Sequence, residues 1–514
     1  MGGGTDGFLY KFRALRCLFD KSAGQMASKC PSEVPYNRLM KTMAQFLGAA
    51  ILGVGLFTAG CTKQQPSSWS LKNPETTQQL KSFVVEKEAQ ANAATNKMPS
   101  EFKAFFAAAA KGDWLAVSNA FVEFRKHAGQ YEHSGKTDER LRGTAWQAML
   151  ETWGALAAFG EGDEKYSAMF GNDIIQSIPP GSIYFGGTDP GRFLVTAMQK
   201  SQVDGDPFFT LTQNALADET YLDYLRSMYG NKIYTPTTED SQKSFQDYTE
   251  DAQRRLLHDQ QFPNEPKQVK PGENLKQDGK RFELNGQVAV MGINGLLVKI
   301  IFDKNPDREF YIEESFPLDW MHPYLEPHGL IMKLNRQPLS ELSDEIVRQD
   351  HEYWIKYVTP MIGDWLNDGT TVEQVAAFAQ KTFGKQDFSD FTGDRRFIQN
   401  AYSHEMFSKL RSSQAELYAW RMDHAADAAE KKRMSRETDF AFRQAWALCP
   451  YSQEAVFRYV NFLLAQDRGA DALLVAETAA QMPSMQGQNG EPFRNLVKQL
   501  QKFQKAKPPS SSGK

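Results

Sequence analysis

The sequence predicts a small α/β core with a mostly parallel sheet, flanked by α-helical hairpins and followed by a C-terminal α-helical array. Three observations carry this expectation. Residues 182–200 (SIYFGGTDPGRFLVTAMQK) read as strand, Gly-rich turn and helix, the opening of a βαβ unit. The chain before it keeps apolar residues at helical spacing. From Leu339 onward the pattern is helical throughout.

At 514 residues the chain has room for about two to four domains with real cores. A formal charge of −4 offers no basic excess to attract nucleic acid, and no long basic stripe interrupts the sequence. The four cysteines, Cys17, Cys30, Cys61 and Cys449, form no C-x-x-C pair. That spacing supports neither zinc, nor thiol redox chemistry, nor a disulfide framework. No cofactor and no metal are expected.

The first element is an address. Met40-Lys41-Thr42-Met43 is a short basic region, residues 44–60 are apolar, and small residues precede Cys61. These are the parts of a secretory signal. Residues 56–61 (LFTAGC) resemble the bacterial lipobox, in which the cysteine takes lipid and the chain is cut just before it. Cys61 is therefore the expected lipidation site, membrane lipid the expected first partner, and the cell envelope outside the cytoplasm the expected location. Two or three acyl chains anchor durably, at about 0.8 kcal/mol per buried CH₂. An uncleaved anchor helix, near the lower length limit for a span, and a buried core helix are the alternatives. Residues 1–39 lie upstream of a signal that starts at Met40. The leader, 1–61, is excluded from fold reasoning.

Residues 62–98 are rich in Gln, Ser, Thr, Asn and Lys and read as a tether, in part helical. Helical hairpins are expected over 99–178. Pro99-Ser100-Glu101 resembles a helix start, Gly112-Asp113 breaks the helix, and Trp114, Val117, Phe121 and Phe124 resume the spacing. A second pair spans 144–159 and 166–178. Its Trp146, Met149 and Trp153 are expected in the core.

The α/β domain is expected over 179–338. Residues 206–212 read as a second strand, 217–229 as a helix, and 231–279 as a polar insertion with at most one helix, over 239–257. Residues 295–302 are helical in pattern; 308–313 and 330–334 are strand-like.

In order, these segments resemble a known family. Ile183-Tyr184-Phe185-Gly186-Gly187-Thr188-Asp189 and Phe193 match a strand ending in a Gly/Asp turn before an aromatic helix. Asn214-Ala215-Leu216 match the end of its next strand. Leu296–Phe302, Asn305 and Arg308-Glu309-Phe310-Tyr311 follow, then Leu325-Glu326-Pro327-His328-Gly329-Leu330. The chain thus resembles the extracytoplasmic domain of multi-span, protein O-mannosyltransferase-like (glycosyltransferase-like) bacterial membrane proteins. The resemblance covers about 150 residues and implies a Rossmann-like fold and an envelope location. The family's membrane spans, which would bind its lipid-linked donor, have no counterpart here, so transferase activity is not implied. Thr188 and Pro190-Gly191 also depart from the family's more acidic turn.

The turn Gly186–Arg192 sits where open α/β sheets bind ligands, beyond the carboxyl end of a strand. Gly187, Thr188, Asp189, Arg192 and Asn214 are the candidate residues for a sugar or phosphorylated ligand. Helix-start N–H groups would hold an anion, with Arg192 assisting. The plain alternative is a tight turn that needs glycine, with Asp189 capping the helix. The turn lacks the G-x-G-x-x-G spacing of a nucleotide fingerprint. Asp189, Asn214, Asp218 and Asp319 could serve acid/base chemistry only if they met at one sheet edge. His322 and His328 are separated by two prolines, on no regular helix face. His351-Glu352 lacks a second zincin histidine, and neither a G-x-S-x-G elbow nor a Walker loop occurs. The reading leans away from an enzyme.

Helices are expected at 340–362, 371–383, 395–409, 412–429, 436–447, 453–466, 470–481 and 491–505. Within 436–484, Pro450 and Pro483 stand one repeat period apart. Ala455, Tyr459, Leu463, Ala472, Ala476 and Ala479 fall where a tetratricopeptide repeat packs. The segment resembles one clear and one degenerate repeat, after a helical region at 339–435 and before a terminal helix and tail at 485–514. Such stacks present a concave face to protein partners. Arg458, Asn461 and Gln466 are the candidate partner-binding residues; a pure packing role fits equally. Cys449 reads as a small buried residue. The favoured function is a lipid-anchored protein-binding or scaffold module linked to envelope or glycan assembly. An enzyme or binding protein acting at Gly186–Arg192 and a structural spacer are the alternatives.

Overall fold

A computed structural model describes residues 71–95, 98–128, 144–187, 190–270, 272–278, 281–313, 318, 320–485 and 487–506. Cys61 and its leader lie outside the described residues. Among those described are 17 α-helices, a five-stranded mixed sheet and a two-stranded hairpin. No described helix is long and apolar enough to cross a membrane.

Helix α1 (Pro74–Ala93) corrects the expected tether. The Asn73 side chain accepts the N–H groups of Glu75 and Thr76, and proline opens the first turn. Leu80, Phe83, Val84 and Lys87 are buried. The apolar face is too narrow to read among so many Gln, Glu and Lys; packing against α4 (Thr144–Gly160) gives it a partner.

The hairpins form as expected. Helix α2 (Ser100–Lys111) stops at Gly112, whose φ of 73° suits a residue without Cβ. In α3 (Trp114–Ala128), Phe121 stacks on Trp153 at 4.2 Å and on Trp146 at 5.3 Å. Helix α5 (Glu164–Ser177) is capped by Asp163.

The sheet comprises β1 (Ile183–Gly186), β2 (Phe209–Thr212), β5 (Phe310–Ile312), β6 (Leu325–His328) and β7 (Ile331–Leu334), in the order β2-β1-β5-β7-β6. Ile183 lies opposite Phe209 and Phe310 in parallel pairings; β5–β7 and β7–β6 are antiparallel. The expected mostly parallel sheet is therefore mixed. Its second half is a hairpin turning at Gly329, φ 59°, and so short a connection joins only antiparallel strands. Pro327 hid β6 in the sequence, yet an edge strand tolerates proline.

Helix α6 (Pro190–Met198) crosses from β1 to β2, and Asp218 caps α7 (Glu219–Tyr229). The polar insertion holds α8 (Thr238–Gln261), closed by a Thr237/Asp240 capping box. It ends in an unforeseen hairpin of β3 (Asn274–Asp278) and β4 (Arg281–Asn285), and α9 (Gln287–Lys304) returns the chain to the sheet.

The array contains α10 (Asp344–Ile362), α11 (Val372–Phe378, continuing as a π-helical turn), α12 (Arg395–Gln399), α13 (Ala401–Asp423) and α14 (Ala428–Leu448). Then come α15 (Gln453–Ala465), α16 (Gly469–Gln481) and α17 (Glu491–Ala506). Two expected boundaries are corrected. Helix α13 runs unbroken through Ser412-Ser413, and α14 starts at Asp427, its cap, well before 436. Both serines are buried within α13, and one turn earlier Ser408 Oγ donates to the Ala445 carbonyl on α14 at 2.7 Å.

The array is tied to the sheet. Gln414 Nε2 donates to the carbonyls of Gly329 and Ile331 at 2.8 and 2.9 Å. The Arg421 guanidinium holds the carbonyls of Leu339, Pro323 and Leu325. One apolar core runs from Leu80 of α1 to Leu500 of α17.

Candidate functional site

Strand β1 lies between β2 and β5. The chain leaves β1 toward β2 and later returns on the other side as β5, so the order reverses between β1 and β5. Open α/β sheets take ligands just beyond the strand carboxyl ends at such a point. Here the place is filled from within. Glu313, the first residue past β5, donates its N–H to the Phe185 carbonyl at 3.0 Å. Its buried carboxylate accepts the Gly187 N–H at 3.0 Å. Lys409 of α13 stands 3.7 Å from the other oxygen. Burial pushes the Lys409 ammonium down to about 8, with Glu454 pulling it up and Arg458 adding to the fall. In the described part of the turn, the Gly187 N–H is thus taken by the protein's own Glu313.

Gly191 is the residue this arrangement requires. A Cβ there would stand 2.1 Å from Glu313 Oε2. Gly191→Ala is expected to cost about 1–3 kcal/mol in urea denaturation, through overpacking. Adding Glu313→Ala, which removes the clashing atoms, should recover part of the loss; a double variant weaker than the sum of the two would contradict this picture.

The described candidate ligand residues, Gly187, Arg192 and Asn214, do not converge. Gly187 serves Glu313. Thr188, Asp189 and Asp319 lie outside the described residues. Arg192, expected to assist an anion, instead points into the core. Its Nε and Nη2 donate to Glu151 Oε1 at 2.9 and 2.7 Å, and Nη2 reaches Gln147 Oε1 at 3.3 Å. The Asn214 carbonyl accepts from Asn294 Nδ2 at 3.0 Å, while Asn294 Oδ1 takes the Ala217 N–H at 2.7 Å. That exchange ties α9 to the loop before α7. Asp218 is spent on its helix cap.

The same core holds a charge cluster that the sequence did not reveal. Lys87 Nζ lies 2.6 Å from Glu151 Oε2, which also accepts Tyr224 Oη at 2.6 Å. Helices α1, α4, α6 and α7 each contribute one member. The only signal was a lysine at an inward-facing position of a helix that did not read as core.

Three of the described histidines pack structurally. His328 Nε2 lies 2.8 Å from the Ser177 carbonyl, and His322 stacks on Trp420. His404 is buried against Tyr451, and burial drives its imidazole down to about 3, so it stays neutral. Among the described residues no group of three or more His, Cys, Asp or Glu is placed to hold a metal ion.

The array carries the other candidates. Arg458 is buried: its Nη1 donates to Ser412 Oγ at 3.1 Å, and Nε lies 3.1 Å from Glu416. Gln466 contacts Met422 Sδ and Ser435 at the meeting of α13, α14 and α15. Arg458 and Gln466 therefore fasten helices together rather than line an open groove. Asn461 is half-buried on α15.

An open cleft lies elsewhere on the array. The turn Asp368–Thr371, Glu373 of α11, Asp439 and Arg443 of α14, and Arg468 and Asp471 line a shallow opening of about 370 Å³. Arg443 Nη1 donates to the carbonyls of Thr370 and Asp368, holding the turn against α14. Arg468 binds Asp439 at 2.7 Å and Asp471 at 2.6 Å. His351 stacks on Phe440 beside the cleft, between Glu437 and Asp368. The hydrogen bond that His351 Nδ1 donates to the Glu437 carboxylate raises the histidine's pKa against the effect of burial. Four carboxylates face two guanidiniums, and Asp368, 74% exposed, stands at the opening. Sequence spacing could place Asp439 and Arg443 on one helix face, but not opposite the 368–371 turn.

No protein-family model, curated protein or solved structure matches the chain. The class defined by fold and site is thus a mostly helical protein with a small mixed sheet, a buried Glu313 carboxylate just beyond the interior strands β1 and β5, and an open polar cleft on its helical array.

Proposed function

We propose that this chain is a lipid-anchored protein of the bacterial cell envelope that works as a protein-binding or scaffold module. The cleft between the 368–371 turn and α14–α16 carries the reading. It is polar, open and built from several elements, whereas the place beyond β1 and β5 is taken by Glu313. The lipobox-like segment ending at Cys61 supports the anchor. The repeat-like spacing of 436–484 supports a tetratricopeptide-like stack in α14–α16, and the parallel trio β2-β1-β5 supports a Rossmann-like half-sheet. The link to envelope or glycan assembly rests on the resemblance to glycosyltransferase-like membrane proteins alone. The rival reading, a sugar or phosphate site at Gly186–Arg192, loses its cation because Arg192 serves the core.

The test joins cross-linking in cells to a cleft variant. Asp368→Asn with Glu373→Gln removes two exposed charges and, with them, the 3.5 Å ion pair of Asp368 with His351. At least a tenfold loss of one specific co-purified protein is expected, with thermal unfolding unchanged. Undiminished recovery, or no specific partner in the wild-type chain, would refute the binding role. Fatty-acid labelling should mark the wild-type chain and not Cys61→Ser.

A further inference from the structure

The last helix carries a surface that the array does not use. Phe493, Leu496 and Leu500 of α17 are buried, and Phe493 stacks on Phe457 with ring centroids 5.8 Å apart. At about 100° per residue these three share one side. Arg494, Lys498, Lys502 and Lys505 fall on the opposite side, within an arc of about 80°. All four are exposed. Arg494 Nη1 donates to the Met485 carbonyl at 3.3 Å, and Nη2 donates to the Gly487 carbonyl. Among the described residues, Lys498, Lys502 and Lys505 have no ion-pair partner. The nearby acid on α16, Glu477, accepts from Gln501, and Glu491 sits at the opposite end of the helix. In the linear sequence these cations are three or four residues apart and form no basic run. The helix gathers them into a line about 16 Å long, on a chain whose net charge is −4.

We propose that this stripe is a contact surface for the headgroups of an anionic membrane. The inference rests on the envelope-anchored reading above. The apolar side of α17 is already packed, so the helix cannot insert, and the contact is electrostatic. A straight row of unpaired cations complements a flat field of negative charge, and each adds about fivefold to partitioning onto an anionic bilayer. Single-stranded nucleic acid fits less well. Its binding leans on base stacking, and Phe493 and Phe503, the aromatic residues of α17, pack on the core side. The acyl chains on Cys61 already anchor durably, and the stripe adds a second, electrostatic contact that orients the body. It would hold the far end of the array against the bilayer and leave the cleft on a body of fixed orientation.

The test is partition of the full chain onto vesicles of phosphatidylcholine alone or mixed with phosphatidylglycerol. The apolar leader contributes to both, so the anionic-to-zwitterionic ratio is the readout. A ratio of at least about tenfold is expected at low salt, falling toward one near 1 M salt, where screening is complete within a few ångström. The triple variant Lys498→Gln, Lys502→Gln, Lys505→Gln should lose most of that ratio with unchanged thermal unfolding. Equal partition of the wild-type chain onto both vesicles, or an unchanged ratio in the triple variant, overturns the proposal. So does displacement from anionic vesicles by an acidic polypeptide at equal charge concentration, which would reassign the stripe to a protein. Unmodified Cys61 in cells would sink the anchoring reading while leaving the measured ratio intact. A lost ratio with Cys61 acylated would sink only this inference.

Discussion

Glu151→Gln is expected to destabilise the protein by about 3–5 kcal/mol, because it leaves buried cations without a counter-charge. Glu151 Oε1 takes two hydrogen bonds from Arg192, and Oε2 takes Tyr224 and Lys87. Both members of the Lys87–Glu151 pair are fully buried. Two cations already share one carboxylate, so neutralising it sets like charges against each other in a dry core. Burial pushes the Glu151 carboxyl up, but Lys87 and Arg192 outweigh it and hold the pKa down at about 2. The folded value lies below the ordinary 4.5. The stabilisation is therefore fully present above about pH 4.5 and is lost as pH falls toward 2. Urea denaturation across that window should show the slope in the wild-type chain and a shallower one in Glu151→Gln. Lys87→Met is the discriminating control. Burial disfavours the Lys87 ammonium more than Glu151 restores it, so its pKa is lowered. Removing it leaves a matched Glu151–Arg192 pair, and its cost should be small. Equal costs for the two variants would contradict a shared-carboxylate core.

Arg411→Leu should be comparably damaging, about 3–5 kcal/mol, but its effect should be localised. Arg411 on α13 binds Asp350 Oδ2 on α10 at 2.8 Å, Gln444 Oε1 on α14 at 2.8 Å and Gln414 Oε1 at 3.0 Å. Tyr418 Oη shares the same Asp350 oxygen at 2.7 Å. Gln414, oriented by Arg411 and by Trp354 Nε1, is the residue that holds the Gly329 and Ile331 carbonyls. Without Arg411, the Asp350 carboxylate is left buried with one hydroxyl, and the clasp between array and sheet loses its support. Hydrogen exchange should accelerate in β7 and α10 and change little in α2 and α3. Uniform acceleration across the chain would show that the cluster stabilises globally rather than at this joint. In the double variant with Asp350→Leu, a buried charge no longer lacks a partner, so part of the loss should return.

Much of the fold was legible because local chemistry specifies local structure. The Gly112 stop, the strand and helix on either side of the turn at 186–191, and the helices over 453–481 follow from residues within a few positions of each other. Elements failed to read where local chemistry misled. Pro327 argued against a strand that tolerates it only because β6 is an edge. Ser412-Ser413 resembled a break but lie buried inside α13, where Ser412 Oγ accepts from Arg458 of α15. The Gln- and Lys-rich α1 resembled a tether because its narrow apolar face draws its stability from α4. Of the candidate site, the location beyond β1 and the need for glycine were legible. The ligand was not, since Glu313 enters the turn from 126 residues away.

The sequence by itself determined most of the helices, the strands at 183–186 and 209–212, the Gly112 stop and the address-like segment that ends at Cys61. Tertiary structure alone decided strand direction in the second half of the sheet, the inward aim of Arg192, Arg458 and Gln466, and the pairing of the 368–371 turn with α14. The reason is that periodicity marks a face but not what covers it. A charged side chain stays buried only when a counter-charge or hydrogen-bond partner meets it, and for Arg192 that partner, Glu151, stands 41 residues earlier in the chain.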